Sequence, residues 1–241
     1  CLVGSEMCIR DRLSNVLKEE YSFVKCLKKS EESQVLVYRN KSTQTNIIVR
    51  HITSGIDIYE KLLTIKSEYL PQIYEVARGD HEALVLEEYI PGISVGEVLK
   101  SGLYTEEGTI KIIKGICDGL TVIHSHNIIH RDIKPDNVMI TDSGNVKIID
   151  FNASKEYKVE EEKDTKVLGT TGFAAPEQYG ISQSDERTDI YAIGVLINVM
   201  LTGEHPSKVM CKGRMKKIVK KAMSINCLLY TSPSPRDTER S

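Results

Sequence analysis

Within about twenty residues the chain brings together side chains that could move a proton, hold a hard cation and neutralise an anionic group. The run is Ile129-His130-Arg131-Asp132-Ile133-Lys134-Pro135-Asp136-Asn137-Val138, then a turn at Asp142-Ser143-Gly144-Asn145, then an apolar stretch from Val146 to Ile149 ending in Asp150-Phe151-Asn152. A carboxylate can orient an alcohol, carboxylate and amide oxygens suit hard divalent cations, and an ammonium group acts as a point charge. A lone loop aspartate such as Asp132 is nearly always a solvated turn residue. The signal is the ordered string, not any one member. His130 reads as a packed structural histidine, and His124 and His126 as a helix end and a turn rather than metal ligands.

These residues need elements to hold them. Tyr21–Lys25, Val35–Tyr38 and Asn46–Arg50 carry β-branched and aromatic residues between polar turns, and Ala83–Leu86 is a short apolar run, so a small sheet is expected. One helical stretch, Gly55 to Lys66, interrupts it, with Ile58, Leu62 and Ile65 at helical spacing. After Pro91-Gly92 the pattern becomes helical. Val95–Leu99 and Glu106–His124 read as amphipathic helices, and Ile190–Leu201 is apolar all round, as a helix at the centre of a larger lobe would be.

The two ends read differently. Back-translation of Leu2 to Asp11 gives a strand whose reverse complement, in a shifted frame, encodes Leu-Leu-Tyr-Thr-Ser-Pro-Ser-Pro-Arg, the sequence of Leu228 to Arg236. Such complementary ends resemble a translated sequencing adapter, so residues 1–12 and 227–241 are set outside the fold. Of the six cysteines, this leaves Cys26, Cys117 and Cys211, too few and too scattered for a disulfide framework or metal spacing. The Lys-rich helical pattern from Met215 to Met223 has no stop signal before Asn226, so the natural protein is expected to continue.

With 32 Lys and Arg against 34 Asp and Glu, the chain lacks the basic balance of a nucleic-acid binder. Its longest apolar stretch, from Ile190 to Leu201, falls well short of the ~20 residues a membrane span needs.

The string from His130 to Phe151 continues through Gly169-Thr170-Thr171-Gly172-Phe173-Ala174-Ala175-Pro176-Glu177 to Asp189-Ile190-Tyr191-Ala192-Ile193-Gly194. In that order and spacing it resembles the catalytic core of a protein kinase of the bacterial serine/threonine type, over essentially all of residues 13–226. The resemblance implies an α+β, two-lobe protein kinase-like fold, with a small β-rich N-lobe over 13–90 and a larger α-helical C-lobe over 91–226. It also implies ATP and magnesium as cofactors and a protein bearing Ser or Thr as the acceptor. The charge balance and the short apolar stretches point to no nucleic-acid or membrane contact from this segment, and three unpaired cysteines without an exporting signal point to a cytoplasmic location, with a membrane anchor downstream left open.

Carried over residue by residue, the resemblance makes Asp132 the carboxylate that accepts the hydroxyl proton and makes Asn137 and Asp150 the magnesium ligands. Lys134 would face the transferring phosphoryl group, and its presence there is the serine/threonine pattern. Thr170 would hydrogen-bond near Asp132 and Lys134 and shape the acceptor site. Val35, Arg50, Glu60, Glu88, Ile90 and Asp150 would form the ATP site, with Glu88 to Ile90 as the hinge that holds adenine. Arg131 could pair with a phosphate on Thr165 or Thr171.

The nucleotide side departs from the family. Counting back from Val35, its three loop glycines fall on Lys28, Ser30 and Ser33, and Glu31 and Glu32 sit at the tip, so a looser and partly repulsive cover is expected, which Lys28 and Lys29 would have to offset. The family's strand lysine falls on Arg50, with Glu60 as its expected helix partner. Asn152 replaces the glycine after Asp150-Phe151, a position where asparagine tolerates left-handed angles. Glu87 stands where the back-pocket residue is usually apolar. Two readings follow: an active serine/threonine kinase in which Arg50 does the lysine's work, or a pseudokinase that binds a partner without phosphoryl transfer. A small-molecule kinase of the aminoglycoside type is a weaker third, since that family lacks the Ala175-Pro176-Glu177 segment.

Overall fold

The computed structural model describes residues 13–30, 32–157, 172–175 and 184–224. Residues 1–12 and 227–241 lie outside this set, as do Thr165, Thr170, Thr171, Glu177 and the acidic run at 160–162.

The described residues start with a helix that the sequence did not announce, α1 (residues 13–20), followed by five strands: β1 (Tyr21–Lys29), β2 (Ser33–Asn40), β3 (Asn46–Ile52), β4 (Ile73–Arg78) and β5 (Ala83–Glu88). They make one antiparallel sheet in the order β1-β2-β3-β5-β4. Its outer face packs Val49, Ala77 and Leu86 against Leu13 and Leu17 of α1. Strand β4 went unexpected because its register shifts between Ile73 and Glu75, so the apolar residues do not alternate cleanly. Between β3 and β4 lies α2 (Ile56–Leu62), shorter than the expected stretch and burying Ile58, Tyr59 and Leu62. The left-handed Gly55 (φ 70°) opens it.

Beyond Glu88 the chain becomes helical, with α3 (Val95–Ser101), α4 (Glu106–His124), α5 (Glu186–Thr202) and α6 (Gly213–Ala222). Thr105 caps α4 by accepting from the Gly108 N–H, and Ser94 caps α3 through Glu97 N–H. Helix α5 is buried all round, as its composition requires, and Asp185 accepts from the Arg187 N–H at its start. Its one internal amide, Asn198, is satisfied by Thr202 Oγ1, by the carbonyls of Glu204 and Val209 and by the Cys211 N–H, which ties the following loop to the helix.

Two short sheets carry the loops of interest. β6 (Gly92–Ser94), β8 (Val138–Thr141) and β9 (Val146–Ile148) form one, and β7 (Ile128–Ile129) pairs with β10 (Lys155–Glu156) in the other. Helix α4 lies tightly on β9: a Cβ on Gly119 would come within 2.9 Å of Ile148 Cδ1. The main core runs from Ile52, Tyr59 and Val85 in the sheet region through Phe151 to Ile116, Ile123 and Leu196 of the helical region. The fold is thus two-lobed, a β-rich lobe joined to a helical one at Glu88–Gly92. Among the described residues no helix is long and apolar enough to cross a membrane.

Candidate active site

The loop after β7 is fixed from below by Asp189 near the start of α5. Its fully buried carboxylate accepts from the backbone N–H groups of His130 (2.9 Å) and Arg131 (2.8 Å), and from His124 Nε2 (2.8 Å). Three donors on one buried carboxylate leave the loop little choice of path. Arg131 accordingly holds a left-handed backbone (φ 67°), rare for a branched or bulky side chain and concentrated at functional sites. His130 is buried against the Phe151 ring, with centroids 5.0 Å apart, and its Nε2 meets the Ile149 carbonyl. Burial outweighs the pull of Asp189 and lowers its pKa, which suits a neutral packing residue.

On this platform Asp132 Oδ2 accepts from Lys134 Nζ (2.7 Å) and from Asn137 Nδ2 (2.9 Å), and Asn137 Nδ2 also donates to the Asp132 carbonyl (2.8 Å). The single 3-10 turn Pro135–Asn137 brings Asn137 back toward Asp132, and the Ile149 N–H donates to the Asn137 carbonyl (2.9 Å), placing Asp150 at the next position. Asp150 takes the left-handed conformation (φ 67°). The asparagine after Phe151 does not. Asn152 instead spends its side chain as a brace, accepting from Tyr59 Oη (3.0 Å) and donating to Ser33 Oγ (3.1 Å), a role the glycine it replaces could not fill.

Lys134, Asn137 and Asp150 line one cleft of about 640 Å³ between the sheet and the helical region, together with Val35, Arg50, Glu88 and Ile90. Val35 and Ile48 make its apolar roof, with Val37 packed against them. Of the residues selected from sequence, Asp132 joins this group through its bonds to Lys134 and Asn137. Glu60 does not join it, and Thr170 lies outside the described residues.

The expected Arg50–Glu60 pair is replaced by another. Helix α2 turns Tyr59 inward, fully buried, with Arg50 above its ring at 5.9 Å, and leaves Glu60 partly exposed and bound to Arg78 at 2.9 Å. Arg50 donates from Nε and from Nη2 (3.2 Å) to Glu87, the charged residue at the usually apolar back-pocket position, and its Nη1 stands 3.4 Å from Asp150 Oδ1. Ile48 faces Glu87 across β3 and β5, so Arg50, two residues on, shares Glu87's face of the sheet. Burial works against the guanidinium charge, but Glu87 above all, with smaller contributions from Tyr59 and Asp150, holds Arg50 above its ordinary pKa.

Asp150 is held in the opposite direction. Burial would raise its pKa, yet Arg50 and the hydrogen bond from Lys28 Nζ (2.8 Å) keep the carboxyl below its usual value, hence ionised. Glu32 is tied to the turn after β3, its carboxylate accepting from Ser54 Oγ and its carbonyl from Thr53. Glu31 lies outside the described residues. At the hinge Glu88 accepts from Gln72 N–H and from Lys147 Nζ (2.8 Å), bracing the crossing between lobes.

The donor set fits a hard cation. Asn137 commits its amide nitrogen to Asp132, which leaves its oxygen as the ligand atom, and Asp150 supplies an ionised carboxylate on the same cleft.

A model described as the protein kinase domain matches residues 17–241. The chain belongs to the protein kinase family. This kinase domain is 34% identical over 174 residues to serine/threonine-protein kinase D of Synechocystis sp., covering 69% of this chain and 34% of that protein. It is 30% identical over 144 residues to serine/threonine-protein kinase PknL of Mycobacterium tuberculosis, covering 59% and 36%, and 30% identical over 196 residues to serine/threonine-protein kinase GRIK2 of Arabidopsis thaliana, covering 80% and 47%. The chain thus spans about a third to a half of these relatives' length. The resemblance to a bacterial-type serine/threonine kinase domain holds.

Sequence reading passed over Asp189 as a role, although Asp189 stood in the quoted motif, and it missed the Arg50–Glu87 pair. The signal for that pair was available: two unusual charges of opposite sign, each at a position where the family pattern expects another residue.

Proposed function

We propose that this kinase domain transfers the γ-phosphoryl group of ATP to a serine or threonine of a protein, with magnesium as cofactor. The observation that carries this reading is the joined set of Asp132, Lys134 and Asn137 on the cleft that Asp150 also lines. Magnesium, when bound, supplies charge neutralisation on the phosphates. Asn137 and Asp150 would hold it. Asp132, oriented by two donors, would accept the proton of the acceptor hydroxyl, and Lys134 beside it would present positive charge to the transferred group. Glu88 and Ile90 would offer hinge backbone to adenine under Val35.

The pseudokinase alternative rests on Arg50 and the glycine-free loop, and it draws no support from the named relatives, all of them kinases. Among the described residues the thiols of Cys26, Cys117 and Cys211 are free, which favours a reducing, cytoplasmic setting. The foreign origin of residues 1–12 and 227–241 belongs to the same proposal, and sequencing the source locus across both ends checks it.

The test is incubation of the chain with labelled ATP, magnesium and a Ser/Thr-rich protein acceptor, beside Asp132→Asn. The variant is expected to lose about 10²–10⁴-fold in rate. Equal signal from both proteins would end the enzymatic reading.

A further inference from the structure

Three residues stand in a row across the cleft face of the sheet, because Lys28 pairs with Val35 and Val35 with Arg50. Lys28 enters this row through a bulge in β1. Cys26 is opposite Leu36 and Lys28 opposite Val35, so Leu27 is the extra residue and the side-chain alternation resets. Without that bulge, strict alternation from Lys25, opposite the cleft-facing Val37, would turn Lys28 to the other face.

The two cations of the row differ in freedom. The Arg50 side chain is 5% exposed, its fork is spent on Glu87, and its remaining arm points at Asp150. A planar guanidinium gripped along one side by a carboxylate cannot follow a phosphate without leaving that carboxylate buried alone. Lys28 keeps half of its side chain in solvent and makes one contact in the cleft, 2.8 Å to Asp150 Oδ2, on a flexible four-carbon stem. Arg50 also faces two carboxylates, Glu87 and Asp150, so the group carries one excess negative charge until Lys28 joins it. A phosphate chain entering without Lys28 or a bound cation would meet that excess.

We propose that Lys28, not Arg50, is the residue whose charge meets the phosphates of a nucleotide in this cleft. The proposal rests on the ATP-dependent reading above and specifies it: the positive charge that the family's strand lysine would supply comes from the first strand, through a bulge, at a place where the family pattern has glycine.

The test titrates the chain with adenosine, ADP and ATP, each with magnesium, by calorimetry, for the unmodified protein, Lys28→Met and Lys28→Arg. Lys28→Met is expected to weaken ATP and ADP about tenfold to a hundredfold while adenosine stays within about twofold, the signature of a lost charge-assisted contact. Lys28→Arg should recover most of the loss. Thermal midpoints of the variants matching the unmodified chain establish that folding is intact, as a half-exposed position leads one to expect. Unchanged ATP affinity in Lys28→Met, or equal weakening of adenosine and ATP, overturns the assignment alone. Failure of the unmodified chain to bind ATP overturns both the assignment and the proposed function.

Discussion

Arg50 and Glu87 show how two departures from a pattern can be one feature. Each alone is a buried charge with a large desolvation cost, and together they form a forked pair on one face of the sheet. The consequence for stability is asymmetric. Glu87→Ala strands a buried guanidinium and should cost about 3–5 kcal/mol, seen as a lowered thermal midpoint, whereas Glu60→Ala breaks a partly exposed pair with Arg78 and should cost at most about 1 kcal/mol. The reverse ranking would mean that the helix carboxylate, not the strand one, supports Arg50. At this scale the sequence made Asp132, Lys134, Asn137 and Asp150 legible because their chemistry is local and ordered along the chain. It left the partner of Arg50 open to a wrong assignment, because Glu60 and Glu87 are both plausible carboxylates and only the register of β3 against β5 and the rotation of α2 choose between them.

The elements place these residues by a few tethers rather than by a continuous scaffold. Helix α5 holds the loop after β7 through Asp189, which collects two backbone N–H groups and one imidazole. Asp189→Ala would orphan the His130 and Arg131 N–H groups in a buried setting, at about 1–3 kcal/mol for each, and should also release the left-handed turn at Arg131. Urea denaturation measures the first effect, and a drop in phosphoryl transfer beyond the loss of folded protein measures the second. A stability change under about 0.5 kcal/mol would show that other contacts hold the loop. The helices α4 and α5 were readable from period and composition, and α4 matches its expected limits from Glu106 to His124. Strand β4 and the bulge at Leu27 were not, because a register shift erases the alternation on which sequence reading of strands depends.

Across the whole molecule, the cleft forms where the sheet meets the helical region, so a ligand there touches both and binds only the folded chain. Saturation with magnesium and ATP at a hundred times the dissociation constant should therefore add about 2.7 kcal/mol, a rise in thermal midpoint of about 5–10 °C. Asp150→Asn should lose the magnesium-dependent part of that rise; a magnesium-dependent rise that persists undiminished in the variant would remove Asp150 from the metal site. What the sequence determined unaided was the kinase family, the order of the lobes and the residues gathered around Asp132, since these depend on residue type, period and spacing within short stretches. Tertiary structure alone decided which charges neutralise one another. Arg50 with Glu87, Lys28 with Asp150, and Asn152 with Tyr59 and Ser33 join residues 37, 122, 93 and 119 positions apart, and only strand register, one bulge and the turn of a short helix bring them within bonding reach.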